Sequence, residues 1–91
     1  MRQINNIISD KIVNIGKNIR LYRDMRGISQ GEFASMLDIS QTSLCNLERA
    51  KHAPSTYTMI RLEMITKIKM HKWTEPISVS EMKSLIIRSG V

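Results

Sequence analysis

Ser29-Gln30-Gly31-Glu32-Phe33-Ala34-Ser35-Met36-Leu37-Asp38-Ile39-Ser40-Gln41-Thr42-Ser43-Leu44-Cys45-Asn46-Leu47-Glu48 is the stretch that decides how this chain folds. Ser29 followed three residues later by Glu32 is a capping box, which starts a helix at Gln30. Phe33, Ala34 and Leu37 lie on one face of that helix, which should end near Asp38. Ser40 is a good N-cap for a second short helix, in which Leu44 and Leu47 share a face while Gln41, Thr42, Cys45 and Asn46 point elsewhere. With Ile39 in the turn, the apolar spacing lets two short helices share one core. A side chain larger than Ala34 would overpack their junction, at about 1–3 kcal/mol.

Outward from this pair the pattern stays helical, with few Gly or Pro, no repeat and little β-alternation, so the fold class is all-α. Ile4, Ile7, Ile8, Ile12, Ile15, Ile19 and Tyr22 form a stripe at steps of three and four. Gly16 either breaks or weakens it. The first core helix is therefore expected from about Gly16 to Met25, closed by Arg26-Gly27, with residues 1–14 as a helical extension. After the basic loop Arg49 to Pro54, Ser55 or Thr56 caps a fourth helix carrying Met59, Leu62 and either Ile65 or Met64. A compact bundle of four to five helices over residues 15–68 follows. Residues 69–91 read as a C-terminal extension, with Trp73 as an anchor for the tail, Lys67 to Lys72 as a solvated face, and Pro76 interrupting. Within that extension Ser78 and Glu81 form a second capping box before the apolar positions Val79, Met82, Leu85 and Ile86.

Lys and Arg number 14 against 8 acids, a net charge of +6 over 91 residues, which favours a densely anionic partner. Nucleic acid leads and acidic lipid follows. Few aromatics (Tyr22, Phe33, Tyr57, Trp73) argue against a single-strand binder that stacks successive bases, and favour duplex DNA. No apolar run exceeds four residues and no signal-peptide core is present, so a soluble cytoplasmic protein without a membrane partner is expected. A single cysteine forms no internal disulfide, and neither His52 nor His71 has partners at metal-ligand spacing. No cofactor or metal is expected, and no nucleophile-base, paired-carboxylate or phosphate-loop arrangement suggests an enzyme.

The polar face of the second short helix has the chemistry to read base edges. An amide pairs bidentately with adenine N6 and N7, which makes Gln41 and Asn46 candidate adenine readers; Thr42 offers a methyl or a hydroxyl. Cys45 touches a thymine methyl, senses redox state, or is a small half-buried residue. Gln30, Ser43, Arg49, Lys51 and His52 are candidate phosphate contacts, alongside the helix N-termini. Residues 1–28 hold six basic and two acidic side chains, residues 29–53 two and three, residues 54–91 six and three. The candidate reading segment is thus nearly neutral between basic flanks.

From Ile15 to Leu62 the chain resembles the phage-repressor, Cro and Xre-type helix-turn-helix family. The resemblance rests on Ile15-Gly16-Lys17-Asn18-Ile19-Arg20, Gly27-Ile28-Ser29-Gln30, Glu32-Phe33-Ala34 with Leu37, Ile39-Ser40-Gln41 with Ser43, Leu47-Glu48-Arg49, and Pro54-Ser55. It implies a lambda-repressor-like bundle, a phosphate-binding Gln30 that braces a base-reading Gln41, and an ion pair between Arg23 and Glu48. Asp38 and Ala50 stand where the family has glycine; Asp38 is a mild strain, and Ala50 implies a different path for the loop. Gly31, where a helix former is common, should cost its helix up to about 1 kcal/mol. The implied function is a transcriptional regulator of phage or mobile-element type, a repressor binding a palindromic operator as a homodimer, with the terminal extensions supplying the dimer contact. The competing expectation is a protein-interaction module, an antitoxin or phage-encoded inhibitor, whose ends grip a protein partner while the motif autoregulates.

Overall fold

The computed structural model describes residues 3–90; residues 1, 2 and 91 of the expected extensions lie outside the described residues. Five α-helices and one 3-10 turn follow in order: α1 Ile4–Arg26, α2 Gln30–Met36, α3 Gln41–Glu48, α4 Thr56–Thr66, the 3-10 turn Met70–Thr74, and α5 Val79–Ser89. No strand occurs among the described residues.

Serine starts four of these helices: the hydroxyls of Ser29, Ser40, Ser55 and Ser78 each accept from the backbone N–H three residues on. At α2 the box is complete, because Glu32 also accepts from the Ser29 N–H. At α5 it is not. Glu81 turns instead to Lys72, 2.5 Å away, so the second box expected from Ser78 and Glu81 is a simple cap, and Lys72 belongs to an ion pair rather than a solvated face.

The expected start of the first core helix near Gly16 is corrected: α1 runs unbroken from Ile4. Gly16 is there for spacing. A Cβ on it would stand 2.5 Å from the Leu47 carbonyl oxygen and 2.9 Å from that of Glu48, so the absent side chain lets α3 lie directly on α1. Gly27, at φ 64°, then ends α1, its cap N–H groups returning to Arg23 and Asp24.

The core joins Ile15, Ile19 and Tyr22 of α1 to Phe33, Ala34 and Leu37, to Leu44 of α3, to Met59 and Leu62 of α4, and to Ile68, Trp73 and Met82. Of the two fourth-helix positions left open, Ile65 is half-buried and packs on the core, while Met64 is exposed. No seam falls at residue 69. Trp73 is fully buried, edge-on to Tyr22 at 5.8 Å, and its indole N–H donates to the Ile68 carbonyl. Asn18 donates to the carbonyls of Trp73 and Glu75, and Asn14 to that of Thr74, so α1 laces the C-terminal segment to the bundle. The expected extension from residue 69 is therefore part of the same core. A sequence reading places Trp73 as an anchor but cannot see that two asparagines one turn apart satisfy the backbone around it.

Candidate nucleic-acid interface

Both helices of the α2-turn-α3 unit close at their C-terminal ends by the same device. Ile39 N–H donates to Ala34 and Asp38 N–H to Ser35; after α3, Lys51 N–H donates to Asn46 and Ala50 N–H to Leu47. These are Schellman closures, which put the residue after the C-cap in the left-handed region and favour glycine there. Asp38 takes it at φ 59° and Ala50 at φ 57°. The expectation of a different loop path at Ala50 is thus corrected: the path is kept, and alanine bears the strain. The Asp38 turn is held from α4, where the Tyr57 hydroxyl donates to Asp38 Oδ2 and Arg61 donates to the Met36 carbonyl at 2.8 Å.

The lower end of α3 is fixed to α1 by charge. Arg23 Nε donates to Glu48 Oε2 at 2.8 Å and Nη2 to Oε1 at 3.0 Å, with the Glu48 side chain 5% and the Arg23 side chain 13% exposed. A third Arg23 donor reaches the Ile28 carbonyl. The hydrogen bonds to Glu48 hold the Arg23 guanidinium above its ordinary range, so it stays charged at every accessible pH. Gln30 Nε2 donates to the same Glu48 at 3.3 Å. It therefore braces the ion pair and not Gln41. The Gln41 side-chain Oε1 lies instead where a Gly31 Cβ would come within 3.2 Å of it, so the glycine that weakens α2 clears room for the Gln41 amide.

Gln41, Thr42, Cys45 and Asn46 line one open hollow with Gln30 and Arg49, and no carboxylate lines it. Gln41, Thr42 and Arg49 are exposed, Asn46 and Cys45 half-buried. Ser43 and His52 lie apart from this group, lining a neighbouring hollow between α3 and the loop before α4, and Ser43 shares a hydrogen bond with Ser40. Lys51 is exposed on the intervening loop. The two site features that a sequence reading misses are Gly16 and the Gln30–Glu48 link. A lone glycine inside a long apolar stripe was the available signal for the first.

A family model described as helix-turn-helix matches residues 19–73, more than half of the chain. The chain belongs to the Xre/Cro-like helix-turn-helix family. This helix-turn-helix protein is accordingly a DNA-binding regulator, of a family not typically enzymatic. Searches of curated proteins and of solved structures find no match to it. No helix among the described residues is long and apolar enough to cross a membrane.

Proposed function

We propose that this protein is a sequence-specific transcriptional repressor that inserts α3 into the major groove of duplex DNA, as a homodimer on a palindromic operator. The observation that carries this reading is the hollow on α3, where the amides of Gln41 and Asn46, a hydroxyl and a thiol stand together beside Gln30 and Arg49 with no carboxylate among them. Gln41 and Asn46 read adenine, and Thr42 and Cys45 present small apolar atoms to thymine methyls. Gln30 and Arg49 flank the readers on phosphate, while Ser43, Lys51 and His52 meet the backbone beyond. The Arg23–Glu48 pair fixes the angle of α3 against α1 rather than adding net stability.

Dimer formation is supported by the outer part of α1, where Ile4, Ile7 and Ile8 are 71%, 43% and 50% exposed on a helix with no side-chain N-cap. Three isoleucines along one stripe suit a second copy of the same helix. Sedimentation over a concentration series should show a dimer that Ile4→Ser with Ile8→Ser dissociates. Monomer throughout, with no cooperativity on a palindrome, removes the dimer; a tightly bound partner of different sequence on the same stripe favours the protein-interaction reading instead.

DNA affinity supplied by lysines and arginines around a nearly neutral motif must fall steeply with salt, because each neutralised phosphate releases condensed counterions. Titrating a fluorescent duplex at several salt concentrations should give a log-log slope of several units. A flat dependence contradicts the proposal.

A further inference from the structure

A further concavity lies between the chain that follows α4 and the last turns of α5, with a volume of about 270 Å³. Lys67, Lys69 and Arg88 stand around it, and no acidic side chain lines it. None of these three cations has an ion pair among the described residues. Lys72, also in the wall, differs: Glu81 and Glu75 engage its ammonium and raise its pKa. The floor is apolar, made by Ile68 and Leu85. None of the lining residues is shared with the α3 hollow.

Like charges around one concavity repel, although all three side chains are exposed and salt screens part of that repulsion. A dianion with several acceptor oxygens relieves it better than a single carboxylate, since each cation finds its own oxygen. The volume falls just below the usual range of about 300–1,000 Å³ for small-molecule sites, so it suits a phosphate carrying a small apolar group. Lys67 adds a further sign of purpose. It closes α4 at φ 61°, a left-handed position that glycine adopts without strain.

We infer that this cleft is a binding site for a small organic phosphate, in which Lys67, Lys69 and Arg88 hold the phosphoryl oxygens while Ile68 and Leu85 cover the organic part. The site is separate from the DNA-reading surface, and the inference stands whether or not α3 reads bases as proposed. A ligand there would bridge α5 to the segment after α4 and stabilise the C-terminal part of the fold.

The test is a titration of the full chain, followed by backbone amide resonances, with phenyl phosphate and with inorganic pyrophosphate at constant ionic strength. Saturating shifts confined to residues 67–72 and 85–89 are expected, with phenyl phosphate the tighter of the two. Arg88→Gln and Lys69→Gln, both at exposed positions, should each weaken binding about tenfold, as loss of a charge-assisted hydrogen bond does. Shifts that never saturate, that spread over all lysines, or that persist unchanged in both variants overturn the proposal. So does a response of these residues to duplex DNA alone, which would make the cleft a nucleic-acid contact.

Discussion

Alanine ordinarily stabilises a helix interior by about 1 kcal/mol over glycine, yet at position 16 its methyl would stand 2.5 Å from the Leu47 carbonyl oxygen. Backbone cannot yield there as a flexible side chain would, so the clash sets the sign. Gly16→Ala should lower stability by about 2 kcal/mol, in the range of an overpacked core, as read from urea unfolding. A gain in stability would mean that α1 and α3 do not meet at Gly16. Ala50 behaves in the opposite sense. Its φ of 57° is one that glycine adopts without cost, so Ala50→Gly should stabilise by about 0.5–1 kcal/mol after the extra entropy of the unfolded glycine is subtracted. Tyr22 gives a pH signature. Burial raises its phenol above the ordinary 10.0, with Arg26 partly opposing, so the unfolded phenol ionises first and favours unfolding as pH rises. Its contribution is intact below pH 10.0 and is lost as pH climbs from there through the folded value. Tyr22→Phe should flatten that part of the alkaline stability profile, and an unchanged profile would rule the phenol out.

Between elements, the ion pair of α1 with α3 is the interaction most open to dissection. Removing one charge strands the other in a nearly dry place: Glu48→Gln should cost about 3 kcal/mol, while Arg23→Met with Glu48→Met together should recover most of that. Thermal unfolding of the native chain, Glu48→Gln and the double variant decides it, and a double variant no more stable than Glu48→Gln would contradict a desolvated pair. The elements also mark where sequence is informative. Caps at Ser29, Ser40, Ser55 and Ser78 are local chemistry, written within three residues. What joins distant segments is not local. Gly16 reads as a helix breaker until Leu47 is placed beside it; Trp73 reads as a tail anchor until Asn14 and Asn18 are seen to hold its backbone neighbours. Ala50 keeps a glycine-like conformation because the Schellman closure and the packing of α3 dictate it, against the preference of its own side chain.

At the scale of the whole molecule, affinity and specificity fall, on the proposed reading, to different parts of the chain. The segment from residue 29 to 53 has two basic and three acidic side chains, so it supplies little attraction for phosphate, and the net charge of +6 resides in the flanks. Its polar face is composed of amides, a hydroxyl and a thiol held on a helix whose position is fixed by Gly16, Glu48 and Arg23. If α3 enters the groove as proposed, such a face discriminates bases by hydrogen-bond pattern, worth about 1–3 kcal/mol for each bidentate contact. Selection of bound sequences from a random duplex library, run with the native chain, with Gln41→Ala and with Asn46→Ala, tests this division most directly. The account predicts a palindromic consensus with adenine preferences, of which each variant loses a different position while its affinity for the rest and its salt slope remain. An unchanged consensus in both variants would contradict the reading of DNA by α3.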